Sequence, residues 1–389
     1  MIRHKKLFIP GPGDVGEDVL EAAARPILRH YGPAWMETYN ELQALLKEVF
    51  RTRNDLFLVP GAASALHDMA IGSLLVGGQK IIVGKNGFFG ERLAEIAVSY
   101  QLKVVPLEAP HGKPLDPDEL RRLLRENPDA PVVALVHHET GTTVMNPLRA
   151  LADEAREAGR VVVVDAVSSL GGVELPVDEW GIDVCVTASG KCLEALPGMG
   201  FISVGPRAWE LMDSHPNRGH GWYLNLETWR RFAREWGAWH PTPVTIPVNI
   251  MLGVLARLRE IVNIGLEKHL AKYVRASRIV RTGLRNAGFE MFVPEEWASP
   301  IVTAVRARPE FEVAEMSRWL ENERNLAIGG GLGELAGKIF RVGHLGMAAT
   351  REYLLDFLMA VEEFLRYKGM TVPVGATLVG WPEDGPGVW

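Results

Sequence analysis

Cysteine is scarce: Cys185 and Cys192 are the only two among 389 residues. Two thiols cannot build a disulfide framework, and cysteine alone supplies no metal site here. The plain expectation is a cytoplasmic chain with reduced thiols. A basic surplus is also missing, since 42 Lys and Arg face 48 Asp and Glu, for a formal net charge of −6. Nucleic-acid binders normally carry the opposite sign, so no nucleic-acid partner is expected. No run reaches the roughly 18 uninterrupted apolar residues that a membrane helix needs. The opening MIRHKKLFIPGPG is basic without an apolar core, so it does not read as a secretory signal. HExxH and paired metal-ligand spacings are absent, so no metal is expected. What remains is an ordinary globular mixture, 47% hydrophobic and 23% charged. A chain this long can bury a core without staples.

From Leu56 to about Gly205, short apolar runs alternate with amphipathic segments. DLFLVPG leads into a helical stretch over 63–75, KIIVG into GERLAEIAVSYQ, and KVVPLEA into DPDELRRLLREN with Asp116 as its N-cap. PVVALVHHE precedes PLRALADEAREAG, then come RVVVVDAVSSLGG, IDVCVTASGK and MGFISVG. Continuous Val, Ile and Leu runs between helices predict strands buried on both faces of a mostly parallel sheet. Ahead of this α/β part lie a short helical stretch over 17–24 and a helix over 36–51. Beyond it, Trp209, Trp222, Trp229, Trp236 and Trp239 recur at irregular spacing, which suits core and interface packing better than a cofactor box. One long helical region is expected over 249–287, with the basic residues of 275–285 on a solvated face. A smaller α+β unit follows over 288–366. It comprises a strand at 301–306, a helix at 312–323, a glycine turn at 329–331, a strand at 338–342 and a helix at 350–367. The Pro- and Gly-rich end reads as a frayed tail or as a strap on a neighbour.

Three features fall at the ends of strands in the α/β part, where open parallel sheets bind ligands. Asp165 closes VVVVD, and an acid there needs a partner or serves as the N-cap of the next turn. Lys191, in TASGKCLEALPGMG, follows the next strand among small residues. A desolvated amine at such a place is nucleophilic and can form a Schiff base, although a lone lysine after a strand is more often solvated. Gly61-Ala62-Ala63-Ser64 is a small-residue turn into a helix, whose backbone N–H groups cradle anions. Together these match the needs of pyridoxal phosphate: a lysine for its aldehyde, a carboxylate for its ring nitrogen, an anion site and a stacking aromatic, here Phe89.

The stretches IPGPGDV, LVPGAASAL, KNGFFGER, VHHETGTTVMNPL, VVVDAVSSLGG, TASGKCLEALPGMGF, HPTPVT and GGGLGELAGKIFRVGHLG occur in that order. In them the chain resembles class V aminotransferases, in the alanine–glyoxylate and serine–pyruvate group. The 2-aminoethylphosphonate and pyridoxamine–pyruvate transaminases are near relatives. The resemblance implies a pyridoxal-phosphate-dependent transferase of fold-type I. Its large domain has a mostly parallel seven-stranded sheet between helices, and a smaller α+β domain follows. The implied division is an arm over 1–25, a cofactor-binding domain over 26–265, a small domain over 266–370 and a tail over 371–389. A homodimer with its active sites at the subunit interface is implied, acting on amino acids and 2-oxo acids.

Carried over residue by residue, Lys191 would be the Schiff-base lysine and proton shuttle, and Asp165 the partner of the ring nitrogen. Val167 would pack under the ring, Phe89 would stack on it, and Thr140 and Thr142 would lie near its phenolic oxygen. Ala62, Ala63 and Ser64 would form the phosphate cup, with Thr242 reaching it from the partner subunit. Arg341 would clamp the substrate carboxylate, and Tyr31 would line the entrance. Three departures weaken the cup: no hydroxyl at Ala62-Ala63, Gly190 where a polar residue is usual, and Trp239 where Tyr is frequent. Either the phosphate is held less firmly or His67, His240 or His138 compensates. The departures keep open an enzyme that uses the unphosphorylated vitamer. His137 and His138 point to opposite sides of an extended chain, so at most one faces a ligand. A cysteine desulfurase-like lyase would need a cysteine on a mobile loop, and a non-catalytic relative would have no reason to combine Lys191, Asp165 and Arg341.

Overall fold

The structure, a computed structural model, describes residues 4–215 and 221–382. Among the described residues, thirteen strands follow the chain. They are β1 (Lys6–Phe8), β2 (Asp55–Pro60), β3 (Lys80–Lys85), β4 (Lys103–Glu108), β5 (Val132–Val136), β6 (His138–Glu139), β7 (Val144–Met145), β8 (Val161–Asp165), β9 (Val184–Ala188), β10 (Met199–Val204), β11 (Val302–Arg306), β12 (Leu326–Gly330) and β13 (Ile339–Gly343).

Seven of them form one sheet in the order β2-β10-β9-β8-β5-β3-β4. β10 pairs antiparallel with both β2 and β9. The other neighbours pair in parallel, so β2, β3, β5, β8 and β9 end on the same edge. β5 and β8 are buried at every position, as strands covered on both faces must be. Two apolar cores flank the sheet. One packs the helices Pro33–Phe50, Pro117–Glu126, Leu148–Glu157 and Val248–Ile264 on one face. The other packs Ala63–Leu74, Phe88–Ser99, Pro206–Asp213 and Leu226–Glu235 on the opposite face. Asp116 caps its helix as expected, accepting from Asp118 N at 2.9 Å.

A four-stranded sheet in the order β1-β12-β13-β11 carries the third core, with the helices Leu266–Asn286, Val313–Arg324 and Arg351–Tyr367. β1 joins it in parallel, so Lys6–Phe8 belong to this sheet although its other strands lie far along the chain, between Val302 and Gly343. Among the described residues no helix is long and apolar enough to cross a membrane.

Three expectations need correction. The glycine turn at 329–331 is mostly strand: Gly329 and Gly330 end β12 and pair with Arg341 and Phe340. A side chain at Gly329 would collide with the Pro10 ring, at 2.5 Å from its Cδ, so glycine serves a close approach there. The helix over 249–287 is two helices, broken at Gly265, whose φ of +87 suits glycine. Arg281 does not lie on a solvated face. It is buried, donates to Ser299 O at 3.0 Å and pairs with Glu295 at 2.7 Å. The tryptophans divide: Trp209 and Trp229 are buried, whereas Trp222, Trp236 and Trp239 are exposed. Part of the tryptophan-rich stretch, 216–220, and the end of the tail, 383–389, lie outside the described residues. The tail before that point lies on its own chain, with Thr377 N and Oγ1 both donating to Glu362 Oε1.

Candidate active site

The segments that follow β2, β3, β5, β8 and β9 converge on one cavity. Its lining includes Ala63 and Ser64 after β2, Phe89 and Arg92 after β3, and His138 and Thr140 after β5. Asp165, Val167 and Ser168 at the end of β8 and Lys191 after β9 complete it, with His67 beside them. Seven of the residues expected at a site therefore meet: Ala63, Ser64, Phe89, Thr140, Asp165, Val167 and Lys191.

Asp165 divides its two oxygens. Oδ1 accepts from Val167 N at 2.9 Å and so caps the following turn. Oδ2 lies 3.4 Å from His67 Nε2. Lys191 Nζ donates to Pro10 O at 2.7 Å. Burial lowers the pKa of this amine, with Arg341 and Arg92 adding to the effect against Cys192 and Asp165. A lysine held in this way approaches the neutral, nucleophilic state.

His138 faces the cavity, and its Nδ1 donates to Ser168 O at 3.0 Å. Burial lowers its pKa to about 4, so the ring is neutral and Nε2 offers a lone pair that no protein group uses. His137 lies on the opposite side, 5.9 Å from the Trp180 ring. His67 is also buried, and neither of its nitrogens makes a hydrogen bond. At the start of the helix Ala63–Leu74 no side chain caps the N-terminus, and Ala65 N donates to Ala62 O at 3.0 Å.

The remaining expected residues lie outside this cavity lining. Ala62 is the N-cap position of that helix. Thr142 Oγ1 is turned to Asn86 O at 3.4 Å. Thr242 Oγ1 donates to Val244 O at 3.0 Å. Tyr31 is 40% exposed and packs edge-on against His240 and Trp239. Arg341 sits behind the lining, donating from Nε to Gly330 O at 2.8 Å and from Nη1 to Thr140 O at 2.9 Å. Burial lowers its pKa to about 10, opposed by Glu139. Both cysteines are fully buried, and burial raises their pKa values, so neither is a mobile nucleophile. Among the described residues no group of side chains could hold a metal ion.

Sequence reasoning missed Glu139 and Arg92. Glu139 Oε2 accepts from Phe89 N and Gly90 N at 3.0 Å each, and Oε1 accepts from Gly141 N at 2.8 Å. It ties the loop after β5 to the helix that presents Phe89. Burial raises its pKa from 4.5 to about 7, against those three N–H donors. Between these two values the folded chain binds more protons than the unfolded one, so this carboxyl's contribution to stability falls as pH rises through that window. Relative to Glu139→Gln, the wild type is expected to lose up to about 3 kcal/mol between roughly pH 4.5 and pH 8. Urea midpoints of both proteins at the two pH values test this, and parallel curves would contradict it.

The fold and site can now be set beside known proteins. The family model described as Aminotransferase class-V matches residues 20–333. An uncharacterized aminotransferase of Methanocaldococcus jannaschii is 34% identical over 368 residues, 95% of this chain and 94% of that protein. The small subunit of a soluble hydrogenase of Synechococcus sp. is 33% identical over 370 residues, 94% of each. The solved structure of an alanine–glyoxylate aminotransferase from Nostoc sp. has a TM-score of 0.90 at 30% identity, covering 94% of this chain and 96% of that one.

Class V aminotransferases are pyridoxal-phosphate enzymes, and the cavity fits that group. It offers a desolvated lysine, a carboxylate, an uncapped helix start and two histidines whose cavity-side nitrogens are unsatisfied. With donor chemistry, strand order and full-length relatives in agreement, this chain belongs to the class V aminotransferases, pyridoxal-phosphate-dependent enzymes of fold-type I.

Proposed function

We propose that the enzyme moves the amino group of a small amino acid, alanine or serine, to glyoxylate or pyruvate by a ping-pong reaction. Arg341 carries this reading. Its guanidinium is buried beside Thr140, its Nε and Nη1 donate to carbonyl oxygens, and it forms no ion pair among the described residues. A planar fork in that state suits a carboxylate, the one group that donor and acceptor share. The alanine–glyoxylate aminotransferase named above agrees with the choice of substrates.

When bound, pyridoxal phosphate supplies an aldehyde that accepts the amino group and a ring that withdraws electrons. Lys191 Nζ would take the proton from the substrate Cα and hold it for return in the same half-reaction. Asp165, fixed by Val167 N, would hold a proton on the ring nitrogen. Phe89 and Val167 would hold the ring between them, Thr140 would serve its phenolic oxygen, and Ala63 and Ser64 would take the phosphate. Residues 26–265 form the cofactor-binding unit in this reading, while 1–25 and 266–370 form the unit that brings Arg341. We also propose a cytoplasmic homodimer in which Thr242 serves the partner's site. The exposed aromatics Tyr31, Trp222, Trp236 and Trp239 support such an interface.

A panel of amino donors against glyoxylate and pyruvate, run with and without 2-aminoethylphosphonate, tests the substrate class. Alanine or serine should give the highest kcat/KM, and a preference for the phosphonate would reject the proposal. Sedimentation velocity checks the dimer.

Gly11 provides a test of the lysine's surroundings. Its φ is +124, and a Cβ there would fall on Lys191 Nζ. Gly11→Ala is expected to push the amine off Pro10 O and slow cofactor uptake by about tenfold or more, while Tm falls by only a few degrees. Stopped-flow absorbance of the apoenzyme mixed with cofactor reads the first quantity, and unchanged uptake would remove Gly11 from the site.

A further inference from the structure

We propose that Arg92 is the phosphate anchor of this site and makes the chain select the phosphorylated cofactor over the free vitamer. The inference rests on the reading that Lys191 carries the cofactor in this cavity. Arg92 stands one turn beyond Phe89 on the helix Phe88–Ser99, and residues spaced three apart share a helix face. Its Nη1 lies 3.4 Å from Ser64 Oγ, directly beside the start of the helix Ala63–Leu74. Its central guanidinium carbon lies 5.0 Å from the centroids of both the Phe88 and Phe89 rings. Stacking of this kind holds the planar head without using its N–H groups. It lines the cavity and forms no ion pair among the described residues.

The charge around Ser64 explains why such a residue is needed. Ala62 and Ala63 contribute no polar side chain, and a helix start offers only about half a positive charge. A phosphate near neutral pH carries between one and two negative charges. His67 cannot balance the remainder, because burial lowers its pKa and leaves the ring neutral. Lys191 donates to Pro10 O and is required at the aldehyde. Arg92 is the remaining cation in the lining. Its fork supplies two parallel charge-assisted hydrogen bonds to one phosphate.

The experiment measures binding to the apoenzyme rather than turnover. Equilibrium dialysis gives Kd for pyridoxal phosphate and for pyridoxal with wild type, Arg92→Gln and Arg92→Lys. Arg92→Gln is expected to weaken pyridoxal phosphate by about 10- to 100-fold and pyridoxal by less than about threefold. Arg92→Lys should recover part of the loss, since a point charge replaces the fork. Inorganic phosphate should raise the Tm of the wild-type apoenzyme and not that of Arg92→Gln. Equal weakening of both vitamers would overturn the proposal and make Arg92 a support for Phe88 and Phe89. An unchanged Kd for pyridoxal phosphate would overturn it as well. Should Arg92→Gln not fold, Arg92→Lys carries the same comparison with a smaller expected drop. Failure of borohydride to attach the cofactor to Lys191 in the wild type would instead overturn the underlying reading.

Discussion

Lys191→Ala is expected to abolish measurable turnover, with a loss of at least about 10²–10⁴-fold from the missing proton transfer alone. The amine is the primary amine of the cavity lining, and the proposed proton transfer is assigned to it. Burial lowers its pKa, and its single hydrogen bond, to Pro10 O, is one that a competing ligand can replace. No neighbour can take over the role. Arg92 is held against the Phe88 and Phe89 rings, and His138 donates Nδ1–H to a carbonyl, which leaves only a weakly basic Nε2. Borohydride treatment of the cofactor-loaded wild type followed by peptide mapping should tag Lys191 alone. A tag on a different lysine, or turnover of the alanine variant within tenfold of wild type, would end this account. The variant should remain folded, because the side chain it loses is only partly buried and makes one hydrogen bond.

Asp165→Asn is expected to be the second most damaging change, at about 10²–10³-fold in kcat. An amide keeps the volume and can still accept from Val167 N, so the turn capped by Oδ1 survives. What it loses is the negative charge at Oδ2, 3.4 Å from His67. In the proposed role, loss of that charge would release the proton from the ring nitrogen and weaken the electron demand at the substrate Cα. Tm should change by no more than a few degrees, which separates a chemical role from a structural one. The capping hydrogen bond alone would give the opposite pattern: full activity in the asparagine variant and a loss only when Val167 N is left without an acceptor.

Asp165 and Lys191 were legible in the sequence because each follows a strand whose apolar run is unmistakable. Four valines before Asp165 predict a strand buried on both faces, and the polar residue at its end must then emerge at the sheet edge. The helix cap at Asp116 followed from a local rule. Residues whose partners are distant in the chain were less visible. Glu139 reads as one more polar residue in HHETGTT until the helix start at Phe89 and Gly90 is brought onto it. Arg92 reads as a charged residue on a surface helix until Ser64 arrives from a different segment. β1 spans only Lys6–Phe8 and finds its partner at Leu326–Ile328, so no local pattern could announce it. The glycines of β12 looked like a turn because glycine disfavours strands. Only the approach of Pro10 explains why a larger residue is excluded at Gly329.

Local order along the chain therefore determined the class of fold, the family and the two groups to which the proposed chemistry is assigned, because strand ends and helix starts are written in short-range patterns of apolar and small residues. The tertiary structure alone decided which polar groups share the cavity. It turned Thr142 away toward Asn86, set Arg341 behind Thr140, neutralised the histidines by burial and brought Arg92 to Ser64. Desolvation and contact between remote segments have no signature in neighbouring residues, and they become physical facts only when the sheet gathers its strand ends on one edge.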